Sequence, residues 1–79
     1  MTYRVLYFAS LRDKAGIDAE ELQAAHADAR RLYAELRERH GFALKQESLR
    51  LAVNGAFVSW DQVLADGDEV VFVPPVSGG

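Results

Sequence analysis

The sequence predicts an α+β fold in which one main helix packs against a mixed sheet of four or five strands. Three observations carry that reading. The first and last apolar runs, 2–9 and 69–73, are rich in β-branched and aromatic residues and apolar on both faces. The stretch ending at His40 repeats its apolar residues at spacings of three and four. Asn54-Gly55 stands between two short apolar runs, the strongest short-range hairpin signal. With 79 residues, the chain forms a single domain.

Each element follows in order. Residues 2–9, TYRVLYFA, open as a strand with Tyr3, Val5 and Tyr7 on one face and Arg4, Leu6 and Phe8 on the other. Ser10 offers an N-cap for a short turn over 11–15, and Gly16 closes it. Between Asp18 and His40 the pattern admits two readings. Propensity allows one long helix. Alternatively Asp28 caps a helix whose stripe is Ala29, Leu32, Tyr33 and Leu36, with His40 at its end and Gly41 as the stop. Residues 19–25 would then form a weak edge strand. LRLAV at 49–53, the Asn54-Gly55 turn and Ala56-Phe57-Val58 make the hairpin. Asp61 can cap a single turn through Leu64, and Asp66-Gly67-Asp68 reads as a tight turn. EVVFV at 69–73 is a buried-looking strand. The first and last strands are the most apolar, so they are expected side by side at the sheet centre. Pro74-Pro75 must end the last strand, because proline cannot donate to a ladder. The domain is thus expected over 1–73, followed by a flexible tail over 74–79.

Composition narrows the function classes. The chain is 49% hydrophobic and 27% charged, which is a globular balance. Absence of cysteine excludes a disulfide framework, a thiolate zinc site and a cysteine nucleophile. A net charge of −3 lacks the basic surplus of a nucleic-acid binder. No apolar run approaches the roughly 20 residues that span a bilayer. The N-terminus has no signal-peptide pattern, and a cytoplasmic location is expected.

No active site is evident. His26 and His40 have no serine or lysine poised beside them, and His40 reads as a surface residue complementing the helix dipole. Asp66 and Asp68 flank a turn glycine without the further oxygen ligands of a metal loop, so no metal site is expected. Gly-rich phosphate loops are absent. The tail is different. It leaves directly from an apolar strand and ends in glycines, which can enter a channel too narrow for other residues. Its carboxylate, with a pKa near ~3.5, is ionised and a poor electrophile at neutral pH. Adenylation would turn it into an activated acyl group.

These features resemble the β-grasp, ubiquitin-like sulfur carriers, and within them the small-subunit family of molybdopterin synthase. Val5-Leu6-Tyr7-Phe8-Ala9, Leu11-Arg12 and Gly16 are similar to the family's opening. Leu51-Ala52-Val53-Asn54 resembles its middle. The most specific block is Leu64-Ala65-Asp66-Gly67-Asp68-Glu69-Val70 through Phe72 and Pro74-Pro75-Val76-Ser77-Gly78-Gly79. The resemblance favours the edge strand over 19–25. It implies that a ubiquitin-activating-like enzyme uses ATP to adenylate Gly79 and that a sulfur donor converts the adduct to a C-terminal thiocarboxylate. No stably bound cofactor is implied. Pro74, Pro75, Val76, Ser77 and Gly78 would insert into the large subunit of molybdopterin synthase, in a heterotetramer, and deliver sulfur to the cyclic pterin precursor. Catalytic groups would belong to that large subunit. By position, Phe8, Phe57 and Val73 match the family's apolar contact surface, and Arg12 a recurrent basic position. Val5, Tyr7, Val70 and Phe72 are then expected to face the helix. Sister carriers serving thiamine thiazole formation, tRNA thiolation or cysteine synthesis would use Gly79 in the same way. A ubiquitin-like modifier would instead join Gly79 to lysines, and a plain interaction domain would not use the tail at all.

Overall fold

The computed structural model describes residues 1–75, as strand β1 (Thr2–Leu6), helix α1 (Ala9–Ala15), β2 (Ala19–Gln23), α2 (Ala29–His40), a 3₁₀ turn (Gln46–Ser48), β3 (Arg50–Val53), β4 (Ala56–Val58) and β5 (Glu69–Val73). The five strands form one sheet of order β2-β1-β5-β3-β4. β1 and β5 are parallel and adjacent, as the two apolar runs lead one to expect, with Val5 opposite Val70 and Leu6 opposite Val71. All other pairings are antiparallel. The result is a β-grasp sheet with α2 across one face.

Alternation within the strands builds the core. Tyr3, Val5, Tyr7, Leu51, Val70 and Phe72 are buried with Ala29, Leu32, Tyr33 and Leu36 of α2. Val5, Tyr7, Val70 and Phe72 therefore take the expected inward side. The Tyr33 and Phe72 rings meet at 5.1 Å, and Trp60 stacks on Phe72 at 5.7 Å. Each such buried side chain contributes roughly 1.5–3 kcal/mol, which a small domain needs. Asp28 caps α2 by accepting hydrogen bonds from the N–H groups of Arg30 and Arg31, and Gly41 ends it at φ 73°.

Several local expectations need correction. Of the two readings for 18–40 the edge strand forms, but over 19–23 rather than 19–25, paired in register with β1 from Leu6–Ala19 to Thr2–Gln23. β1 ends at Leu6 rather than Ala9, although the Tyr7 N–H still donates to the Asp18 carbonyl at 2.8 Å. Ser10 is not the cap of α1. Ala9 takes φ 50° and turns the chain into the helix two residues earlier, leaving Phe8 at the cap without a side-chain bond. No helical turn follows Asp61. Val63 bridges to Asp28, and the Leu64 N–H donates to the Ala27 carbonyl, so this segment is drawn out along the start of α2. Asp61 pairs instead with Arg30 at 2.7 Å.

Candidate partner face and tail root

The Asp66-Gly67-Asp68 turn fixes where β5 begins. Gly67 adopts φ 87°, a conformation open to glycine, and its N–H donates to the Thr2 carbonyl at 2.7 Å. Asp66 accepts from the Thr2 N–H at 2.6 Å. Asp68 accepts from the Ala65 N–H and from the Asn54 amide, whose own oxygen accepts from the Glu69 N–H. Both carboxylates thus serve as backbone latches between the hairpin, β1 and β5. Among the described residues, no group of three or more His, Asp or Glu side chains could hold a metal.

From that latch β5 runs between β1 and β3, paired with β1 as far as Val71 and with β3 as far as Val73. Pro74 is half-buried and Pro75 exposed, and both lie beyond the strand. The root of the expected tail is therefore held by the β3 ladder, two residues past the last β1 pair. Val76, Ser77, Gly78 and Gly79 lie outside the described residues.

The face of the sheet away from α2 is apolar across its width. Ala19, Leu6, Val71, Ala52 and Phe57 follow one another in register over all five strands. Phe57 is 57% exposed and Phe8 50%, an unusual display for two large aromatics in so small a domain. Phe8 keeps an extended backbone after β1 and so leaves on the Leu6 side. Val73 is half-buried on the same face, directly opposite Arg50 of β3. The Arg50 guanidinium carbon lies 4.0 Å from the centre of the Phe57 ring. Arg12 sits off the sheet, on α1, with its Nε 3.9 Å from an Asp18 carboxylate oxygen.

The structure thus gathers Phe57 and Val73 around one residue that sequence reasoning passed over, Arg50, and adds Leu6, Ala52 and Val71 between them and Phe8. The signal existed. A two-residue Asn-Gly turn sets Ala52 opposite Phe57, which leaves Arg50 diagonal to that ring.

A polar cluster lies at the other border of the sheet. Glu20 of β2 accepts from the Tyr7 hydroxyl at 2.5 Å, lies 2.7 Å from His40 Nε2 and is 3.2 Å from an Arg39 guanidinium nitrogen. His40 is thus a half-buried partner of Glu20, more than the surface residue expected at the helix end. Burial alone would raise the Glu20 carboxyl. The bonds from Tyr7 and His40 and the charges of His40 and Arg39 together outweigh it, and the group sits below its ordinary range. Tyr7 is pushed up, first by burial and then by its bond to Glu20. This cluster ties the edge strand to α2.

A mixed five-stranded β-grasp sheet with one main helix across a face and an exposed apolar row on the other defines a ubiquitin-like domain. The model of the ThiS family matches residues 5–79, and the chain belongs to that family. It is 43% identical over 79 residues to the molybdopterin synthase sulfur carrier subunit of Escherichia coli (strain K12), covering 96% of this chain and 98% of that protein. It superposes with TM-score 0.70 and 26% identity on a chain of the complex of subunits 1 and 2 of molybdopterin-converting factor from Helicobacter pylori 26695, over 100% of each chain. SAMP1 from Haloferax volcanii, 23% identical over 100% of each chain, matches with TM-score 0.79 and speaks to the fold alone.

Proposed function

We propose that this chain is the sulfur carrier subunit of a molybdopterin synthase. The observation that carries the reading is the family match, which runs from β1 through the whole tail to Gly79. A Gly79 carboxylate oxygen would attack the α-phosphorus of ATP on a ubiquitin-activating-like enzyme, expelling pyrophosphate. The terminal sulfur of a donor protein's persulfide would then displace AMP to give an acyl disulfide, and a second thiol would cleave its S–S bond, forming a disulfide with the donor sulfur and releasing the thiocarboxylate. Adenylation lowers the barrier because AMP departs far more readily than oxide from a carboxylate. With no cysteine in the chain, the terminus is the sulfur-bearing position.

The outer face supports the same reading. Phe8, Phe57 and Val73 form the docking surface for the large subunit, with Leu6, Ala52 and Val71 between them and Arg12 at the margin. Pro74 and Pro75 start the tail in an extended conformation, so residues 74–79, spanning about 20 Å when extended, can reach into a pocket of that subunit. The two subunits would form a heterotetramer, in the cytoplasm, with the catalytic groups for dithiolene formation on the large subunit. The sulfur acceptor is the cyclic pterin precursor.

Reconstitution tests this. Mixed with its large subunit, activating enzyme, ATP and a sulfur source, the full chain should convert precursor to molybdopterin. The variant lacking Gly79 should bind the large subunit as well as the full chain and unfold at the same temperature, yet transfer no sulfur. Undiminished transfer by the truncated chain would overturn the proposal.

A further inference from the structure

Arg50 stands where the apolar face meets the tail root. Its cross-strand neighbour is Val73, the last residue of β5 before Pro74. Its guanidinium lies over the Phe57 ring at 4.0 Å, and Phe57 is itself 57% exposed. Stacking of this kind attracts the cation to the ring face and holds its orientation while leaving the N–H donors at its edge free.

The other cations near this face have acidic neighbours. Arg4 is opposite Glu21 on one side and Glu69 on the other. Arg12 faces Asp18, and Arg30 is paired with Asp61 at 2.7 Å. Among the described residues Arg50 has no carboxylate within salt-bridge distance. Arg4 has none at that distance either, but its cross-strand neighbours are acidic, whereas the β5 neighbour of Arg50 is Val73, at the tail end of the apolar stripe.

Covering that stripe with an apolar surface would strip water from Arg50. A guanidinium desolvated without a counter-charge opposes association strongly, whereas one met by a planar carboxylate forms two parallel hydrogen bonds. We infer that Arg50 is a specificity-determining docking residue, and that it reads an acidic side chain on the protein that covers the outer face, beside the point where the tail enters. The inference rests on the reading of that face as the docking surface for the large subunit. The partner is thereby specified: an apolar surface that bears a carboxylate at the rim nearest the tail. Phe57 then has two roles, supplying apolar area and holding the guanidinium flat.

Calorimetric titration of the full-length chain with the large subunit, at low and high salt, tests this. Arg50→Gln should weaken binding at least about tenfold at low salt and flatten the salt dependence, since the charge pair is what salt screens. Arg50→Glu should weaken it roughly 100-fold or more by placing like charges together. Arg50→Lys should recover only part of the loss, because an ammonium offers no planar fork. Phe57→Asp, with an unchanged melting temperature, reports on the face itself. If Phe57→Asp abolishes binding while Arg50→Gln binds like the parent with the same salt slope, Arg50 merely shields the ring and the inference is overturned. Parent-like binding by Phe57→Asp, or no binding by the parent chain, overturns the docking-face reading and this inference with it.

Discussion

Glu20 is the residue on which three elements converge. Its carboxylate takes the Tyr7 hydroxyl at the end of β1 and His40 and Arg39 at the end of α2. Because its folded pKa is lowered from the ordinary 4.5, the stability it adds is fully present above that value. That stability is lost as pH falls below 4.5 through the lowered folded value. Glu20→Gln should cost about 1–2 kcal/mol near neutrality by weakening the bonds to Tyr7 and His40. It should also remove this share of the acid sensitivity. Urea unfolding followed from pH 7 down to pH 3 checks both, and parallel stability curves for the two proteins would contradict the assignment. None of this network could be read from the sequence, because its members are separated by up to 33 positions and meet only once β2 is paired with β1. His40 as a helix-end residue was legible, but its carboxylate partner was not.

At the scale of elements, the hairpin was the most legible and the edge strand the least. Asn54 and Gly55 take φ 51° and 85°, the left-handed pair that a two-residue hairpin turn requires. Space around Gly55 is open, so nothing would clash with an added methyl group. Gly55→Ala therefore isolates the backbone cost and should lower stability by about 1–2 kcal/mol. In a domain this size that is a fall of at least about 4 °C in melting temperature. A melt unchanged within error would show that the turn tolerates another geometry. Residues 19–23, AEELQ, carry helix-favouring side chains, and only ladder pairing along β1 makes them a strand. Sequence propensity could not decide this segment, and the family resemblance did. The Asp61 turn failed for the same kind of reason. Residues 63–64 bond across to 27–28, a tertiary demand with no local cue. The 3₁₀ turn at Gln46–Ser48 also went unforeseen, since its sequence carries neither glycine nor proline.

For the whole molecule, the division of labour is between two faces of one sheet. One face is filled by α2 and supplies the stability. The other carries an exposed apolar row from Ala19 to Phe57 beside the charged Arg4, Glu21 and Glu69, and β5 runs from it to Pro74. Alternation in TYRVLYFA and EVVFV was enough to foresee which residues turn inward. It was also enough to place Phe8 and Val73 outside. Arg50, at the tail end of the outer face, was missed because it becomes visible only when hairpin register and β3–β5 pairing are combined. With no cysteine, the chain has no thiol side chain to carry sulfur. The most direct test is the intact mass of the chain after incubation with ATP, its activating enzyme and a sulfur source. The account predicts a gain equal to replacing one oxygen by sulfur, confined to the peptide that ends in Gly79. An unchanged mass, with the same enzyme shown to activate a control carrier, would contradict it.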